Sequence, residues 1–429
     1  MNLIFLGIVL IAVMVAGARQ LTYQPEEDVA SPMEQLSSGM ITSAQGAVEL
    51  AIGLVGVMTL FLGLMKVAEA GGLLTIIAKL IRPLMVRLFP EVPPDHPAMG
   101  AMILNMSANA LGLGNAATPF GIRAMQELDK LNPQPGTATN SMALFLAINT
   151  SSITLLPTGV IAIRAAAGSA DPAGILPSTL FATICATIAA ISAAMLYRRW
   201  FPVRPDPEAL NMDRPWVSEA QEASSISSSG AYPLWVSVTA LLMIVSLIPM
   251  MILYGTSVSP WIMPMLMVGF LLFGALRGVR VYEVFVEGAK EGFQVALRII
   301  PYLVAILVAV GMFRASGAMD VMVSVLGGVT SRFGLPPEAL PMALLRPLSG
   351  SGAYGIMASI INDPAIGPDS YVGYLVSTLQ GSTETTFYVL AVYFGAIQVR
   401  RIRHTLAAAL TADVVAVIAA VAVCSYLFL

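Results

Sequence analysis

The stretch Leu379-Gln380-Gly381-Ser382-Thr383-Glu384-Thr385-Thr386-Phe387-Tyr388 lies inside an apolar run, Tyr371 to Gln398, that is otherwise long enough to cross a bilayer. A glycine and the polar side chains Ser382 to Thr386 interrupt that run near its middle. In hydrocarbon every backbone N–H and C=O needs a partner, so polar, irregular backbone persists only where it is buried in protein or lines a watery cavity. A carboxylate such as Glu384 costs about 2.5–3.5 kcal/mol at mid-membrane on insertion scales. The blander reading is a hydrogen-bonded cluster that glues helices together, but Ser and Thr alone suffice as glue. The carboxylate points to a functional site on a broken transmembrane helix.

Composition sets the class. The 429 residues are 57% hydrophobic and 11% charged, with a mean hydropathy of +0.81; soluble domains carry about 25% charged residues. This is an all-α polytopic membrane protein. Cys185 and Cys424 both lie in apolar runs and form no disulfide framework. His96 and His404 flank membrane segments, and no Cys/His cluster has metal-ligand spacing, so neither a metal site nor a cofactor is expected. The phosphate-binding GxxxxGK[ST] loop is missing from the sequence, which argues against an ATP-driven pump. A net charge of −3 carries no nucleic-acid signature.

Taken in order, Met1 to Ala18 reads as a retained first helix, and an acidic loop with Glu26, Glu27, Asp28 and Glu34 follows. Ala44 to Met65 is a span. Lys66, Lys79, Arg82 and Arg87 mark an interfacial amphipathic segment. Residues 98–125 are too polar and glycine-broken for a lipid-facing helix and read as a re-entrant helical hairpin. Residues 139–164 form a broken span, interrupted at Asn149 to Thr154 and Pro157, and Pro172 to Tyr197 is an ordinary span. The hydrophilic stretch 201–232 separates the two halves, 1–200 and 233–429. In the second half, Pro233 to Tyr254 and Pro260 to Leu276 are two spans, Arg277 to Arg298 is amphipathic, and Val295 to Phe313 is a span. A second hairpin (338–361), the Glu384 broken span (371–398) and the last span from Thr405 complete the chain.

The halves therefore repeat. Pro94, Asn109 and Gly112 align with Pro337, Gly352 and Gly355 at one offset; Ser151, Ser152 and Thr154 align with Ser382, Thr383 and Thr385 at another. Such repeats typify secondary transporters. Cytoplasmic loops carry the Lys/Arg excess. Placing Met1 inside puts the Lys66 to Arg87 cluster, Arg198-Arg199, Arg277 to Arg298 and Arg400 to His404 inside as well. Arg314, Arg332 and Arg346 fall outside. One extra span precedes the first core and two precede the second, so the repeats are expected to be inverted, with the linker in the cytoplasm and Leu429 outside.

The run Asn105-Met106-Ser107-Ala108-Asn109-Ala110-Leu111-Gly112-Leu113-Gly114-Asn115-Ala116-Ala117-Thr118-Pro119, with Ala147-Ile148-Asn149-Thr150-Ser151, resembles spore maturation protein A. Arg346-Pro347-Leu348-Ser349-Gly350-Ser351-Gly352-Ala353, with Gln380-Gly381-Ser382-Thr383-Glu384-Thr385, resembles spore maturation protein B. The whole chain is similar to a fusion of the two, within the nucleoside-recognition (Gate) superfamily that also includes concentrative nucleoside transporters. The resemblance implies two re-entrant hairpins meeting two unwound helices near the bilayer centre. It supplies no substrate.

Helix ends at hairpin tips and breaks offer positive N–H groups to anions, and unwound carbonyls suit Na⁺. The expected solute-binding residues are Asn105, Ser107, Asn109 and Asn115 of the first hairpin and Asn149, Thr150 and Ser151 of the first break. Ser349 and Ser351 of the second hairpin and Gln380, Ser382, Thr383, Glu384 and Thr385 of the second break complete the set. Glu384 and Asp413 are the ion-coupling candidates; the residue aligned with Glu384 is Ile153, so one half alone carries the acidic centre. Arg346 reads equally as an anion ligand or an interfacial anchor. The expected function is secondary active transport of a small polar solute, nucleoside-like or a small organic anion, across a bacterial inner membrane, driven by H⁺ or Na⁺. The alternative is a non-transporting scaffold or regulator with the same fold. The expected partners are the lipid bilayer, a small-molecule solute and the coupling ion, with a homo-oligomer left open. An enzyme is set aside, because neither histidine sits in a span beside a catalytic partner.

Overall fold

The computed structural model describes residues 2–24, 30–112, 114–201 and 232–429. The linker call at 201–232 and the acidic Glu26 to Asp28 therefore fall almost wholly outside the described residues, as does the side chain of Asn115. The described chain is helical, with one isolated bridge between Thr137 and Arg401. The first half runs α1 (Asn2–Leu21), α2 (Pro32–Ala70), α3 (Leu73–Leu88), α4 (Pro97–Ala110), α5 (Gly114–Lys130), α6 (Asn140–Ser151), α7 (Thr158–Ala166) and α8 (Leu176–Tyr197). The second runs α9 (Leu234–Leu276), α10 (Val281–Ala315), α11 (Ala318–Thr330), α12 (Leu340–Leu345), α13 (Gly350–Ile361), α14 (Tyr371–Ser382), α15 (Thr386–Ala396) and α16 (Thr405–Phe428).

Local chemistry sets the element ends. Ser31 opens α2 with a capping box, its backbone N–H donating to Glu34 Oε2 at 2.8 Å. Thr139 and Ser370 cap α6 and α14, accepting from the N–H groups of Met142 (3.1 Å) and Gly373 (3.0 Å). These two caps are related by the same offset as Ser151 and Ser382, where the two helices stop. Both expected broken spans are broken: α6 gives way to α7 across 152–157, and α14 to α15 across 383–385.

Two helix pairs across the halves, α2 with α10 and α8 with α16, pack antiparallel. Gly39 of α2 faces Ala315 of α10, Gly63 faces Phe285, and Lys66 Nζ meets Glu291 at 3.2 Å. Small residues on this seam let the two long helices approach closely. In α8 and α16 the contacts run the same way: Tyr197 Oη to Thr411 Oγ1 (3.0 Å) at one end, and Ser178 and Cys424 both on Thr378 at the other. By length and composition, α8 and α16 are each able to cross a bilayer.

Two apolar cores are stacked along the bundle, and each is built by both halves. One joins α4, α5 and α6 to α15, through residues such as Met102, Leu128, Phe145 and Phe394. The other joins α12, α13 and α14 to α7, through Met342, Met357, Leu375 and Ile161. The helices α8 and α16 contribute to both. The polar breaks lie between the cores. At the end nearest the linker, Arg403 Nη1 donates to Ala138 O (2.9 Å) and Arg400 N to Gly136 O (2.9 Å). At the opposite end, Arg164 Nη2 pairs with Asp369 at 3.0 Å.

Three readings from sequence need correction. The two spans expected at Pro233 to Tyr254 and Pro260 to Leu276 are joined in one 43-residue helix, α9. The amphipathic segment and span expected over Arg277 to Phe313 are likewise a single helix, α10. The alignment of Gly112 with Gly355 does not match equivalent positions. Gly112 sits in the turn after α4 with φ +74°, whereas Gly355 lies inside α13, and the second turn is Arg346 to Ser349.

Candidate functional site

The two hairpin turns dock on the two breaks. Leu155 N donates to Ala110 O (2.9 Å), and Phe387 N to Pro347 O (3.0 Å). The breaks also meet each other, since Glu384 N donates to Thr150 O at 2.8 Å. This bond satisfies one of the carbonyls that α6 leaves open at its C-terminus. Gly112 is required at its turn: its φ is positive, and a Cβ would collide with the Leu156 carbonyl.

Around the second break, Arg346 is the organising side chain and is 6% exposed. Its Nε donates to Gln380 O (3.1 Å), a carbonyl in the last turn of α14, and its Nη1 donates to Thr385 Oγ1 (3.0 Å). A cation at a helix C-terminus complements the dipole there. Glu384 Oε2 lies 3.9 Å from Arg346 Nη2, and the Glu384 side chain is 44% exposed against 7% for its partner. On the far side, Thr386 Oγ1 donates to Asp413 Oδ2 at 2.7 Å, while Asp413 Oδ1 has no partner among the described residues. Tyr354 from α13 and Tyr393 from α15 both lie within electrostatic reach of Glu384.

Asn109 and Asn149 form a link between hairpin and broken helix, Nδ2 to Oδ1 at 2.9 Å. Asn105 donates to Ala117 O (2.8 Å) and Tyr393 Oη (3.1 Å), joining the first hairpin to the other half; its buried Oδ1 has no partner among the described residues. Ser107, Thr150, Ser151 and Ser382 donate their hydroxyls to carbonyls of their own helices, at 2.7, 2.9, 3.2 and 3.0 Å. Ser349 is the N-cap of α13, accepting from Gly352 N at 3.0 Å. Thr383 is buried in extended backbone at the break. Ser351 is half-buried on the first turn of α13. The structure thus brings Gln380, Glu384 and Thr385 together around Arg346 and spends four of the hydroxyls on their own helices. Sequence reasoning left Arg346 undecided and passed over Tyr354, Tyr393 and Thr386. The proline after Arg346 and the placement of Thr386 inside the polar run were the available signals.

Comparison with known proteins places the chain in context. The family model described as Gate, nucleoside recognition, matches residues 51–167 and 296–400. Spore maturation protein B of Bacillus subtilis is 46% identical over 165 residues, 38% of this chain and 92% of that protein. Spore maturation protein A of the same organism is 46% identical over 159 residues, 37% of this chain and 81% of that protein. The inner membrane protein YjiG of Escherichia coli is 30% identical over 87 residues, 20% of this chain and 57% of that protein. No solved structure matches the chain.

Proposed function

We propose, from the premise that this chain belongs to the nucleoside-recognition (Gate) family, that it is a secondary active transporter of a small polar solute, driven by H⁺ or Na⁺. The observation that carries the reading is the meeting of two broken helices between two apolar cores, with Glu384 N bonded to Thr150 O and a hairpin turn docked on each break. Backbone of that kind at membrane depth belongs to solute pathways rather than to lipid-facing structure.

The antiparallel pairs α2/α10 and α8/α16 fit inverted repeats about an axis in the membrane plane. The hairpins α4/α5 and α12/α13 are then re-entrant, the first from the linker end and the second from the opposite end. The linker end gathers Arg87, Arg198 and Arg403, so it faces the cytoplasm of a bacterial inner membrane, together with the N-terminus. A cysteine introduced as Ser228→Cys is expected to label from that side alone. The solute is nucleoside-like or a small organic anion, Glu384 and Asp413 are the coupling carboxylates, and the protein works without catalysis, metal or cofactor.

The test is reconstitution in proteoliposomes with a panel of nucleosides and organic anions under imposed H⁺ or Na⁺ gradients. Glu384→Gln keeps the size of the side chain and is expected to insert and fold yet lose gradient-driven accumulation; Asp413→Asn is compared in the same assay. Wild-type coupling in Glu384→Gln would remove Glu384 from the transport site. The scaffold reading draws on the hydroxyls of Ser107, Thr150, Ser151 and Ser382, which already serve their own helices. Absence of flux for every solute in the panel, from a protein that remains folded, would favour it.

A further inference from the structure

Arg346 is a buried cation whose bonding is incomplete in one direction. Its Nε and Nη1 are held by Gln380 O and Thr385 Oγ1, at 3.1 and 3.0 Å. Its Nη2 faces Glu384 across 3.9 Å, well beyond the roughly 2.7–2.9 Å of a direct charge-assisted hydrogen bond. The two side chains differ sharply in exposure, 7% for Arg346 and 44% for Glu384. The gap between them therefore opens on the side that Glu384 occupies. A buried guanidinium with a free edge suits a planar or tetrahedral oxyanion, which can take two of its N–H groups at once. The turn that carries Arg346 is anchored by Phe387 N on Pro347 O, so its backbone is fixed to α15.

We propose that Arg346 is the ligand for a carboxylate or phosphate group on the transported solute, and that ionised Glu384 is its internal competitor, so that the anion enters with a proton on Glu384. This rests on the transport reading above and narrows its solute to an anion and its coupling ion to H⁺. The charges require the exchange. Around the gap stand Arg346 from the second hairpin turn, Tyr354 from α13, Glu384 from the break, Tyr388 and Tyr393 from α15 and Asp413 from α16. Only one of these is a cation, and the first half contributes the neutral Thr150 carbonyl, bonded to the Glu384 backbone N–H. A second anion beside ionised Glu384 meets a like charge at contact range, and protonation of Glu384 removes it. The proton comes from the aqueous side that Glu384 faces and crosses with the anion. A monoanion then crosses with no net charge.

The experiment measures binding, not flux, on the purified full-length protein in detergent. The probes are lactate, a carboxylate, and sulfate, a tetrahedral oxyanion, compared at about pH 5 and about pH 8; both are predominantly ionised at the two values. Calorimetric titration of the wild type is expected to show binding at least about tenfold tighter at the lower pH. Glu384→Gln is expected to bind with the low-pH affinity at both values. Arg346→Lys, which keeps the charge and loses the forked geometry, is expected to weaken binding at least about tenfold at the lower pH. Glu384→Gln with an unchanged pH profile overturns the competition, and binding undiminished in Arg346→Lys overturns the anion site. Neither probe binding to wild type or Glu384→Gln also overturns it. Uptake of an uncharged solute in liposomes would defeat this inference and leave the transport reading standing. Proton-linked anion binding without flux would do the reverse.

Discussion

Arg164 joins the two halves at the end of the bundle away from the linker, and its removal has a magnitude that the structure lets one work out. The residue is fully buried. Its Nη1 donates to Pro368 O (2.7 Å) and Ser377 Oγ (3.3 Å); its Nη2 donates to Ser169 Oγ (3.2 Å), Asp171 O (3.2 Å) and Asp369 Oδ1 (3.0 Å). The guanidinium also lies 4.2 Å from the centre of the Tyr374 ring. Arg164→Met keeps much of the stem and deletes every one of these bonds. The carbonyls of Pro368 and Asp171 lose this donor, at about 1–3 kcal/mol for each one left unsatisfied, and the ring contact adds about 1 kcal/mol. Asp369 contributes little to the loss, because its side chain is 36% exposed and also accepts from Ala170 N at 2.7 Å. The total is about 3–7 kcal/mol, overlapping the range of about 3–5 kcal/mol expected for breaking a buried ion pair by removing its cation. For a chain of this size that corresponds to a fall in unfolding temperature of about 5–10 °C. Thermal unfolding followed by tryptophan fluorescence in detergent measures it. Arg164→Lys, which reaches fewer acceptors, should fall between wild type and Arg164→Met, and Asp369→Asn should stay within about 1 kcal/mol of wild type. If Arg164→Met unfolds within about 1 °C of wild type, the network does not join the halves.

Other outcomes follow from the same geometry. Gly121→Ala drives a methyl into the Tyr393 ring, and Gly159→Ala brings one to 2.8 Å from Tyr354 Oη; each should destabilise by about 1–3 kcal/mol, and two neutral substitutions would mean these contacts are looser than described. His404, in the loop before α16, is fully buried, and its ring nitrogens have no partner among the described residues. Burial, with Arg403 and Arg198 nearby, pushes it down to about 4 from its ordinary 6.5. The unfolded chain takes up this proton first, so the contribution is present above pH 6.5 and is lost as pH falls towards 4, about 3 kcal/mol in all. Acid denaturation of His404→Leu should show a shallower loss over that window, and an identical slope would refute the assignment. Thr385→Ala removes the acceptor of Arg346 Nη1 and should weaken solute binding several-fold without abolishing coupling; unchanged affinity in the binding assay would count against Arg346 as the centre of the site.

The breaks were legible in the sequence because they depend on composition alone. A run of Ser, Thr and Glu in an apolar segment cannot remain a lipid-facing helix, and both α6 and α14 stop at the aligned serines. The hairpin register was not legible, because glycine does two different jobs there. Gly112 supplies a positive φ in a turn, whereas Gly355, the glycine aligned with it, lies buried inside α13. The letters are the same and the reasons differ, so matching the glycines misplaced the second turn. The site itself was half legible. Whether a Ser or Thr hydroxyl bonds back to its own helix or faces a cavity depends on its rotamer, which spacing does not reveal. Tyr354 and Tyr393 read as ordinary apolar-helix residues, yet each places its ring over a glycine of the opposite half.

Those two tyrosine contacts explain how the parts are joined. Tyr393 of α15 covers Gly121 of the first hairpin, and Tyr354 of the second hairpin covers Gly159 of α7. Each hairpin is thus packed against the distal segment of the other half's broken helix, within a core that the two halves share. A break of a few residues separates that distal segment from its own proximal segment, which belongs to the other core. Close-packed cores move as blocks rather than deforming continuously. The non-helical residues 152–157 and 383–385 separate the blocks, and the second of them is where Glu384 and Thr385 meet Arg346. Under the proposed transport function, block movement and a change of ligand at Arg346 then act on the same second break, the coupling that a carrier needs between an occupied site and the face to which it opens.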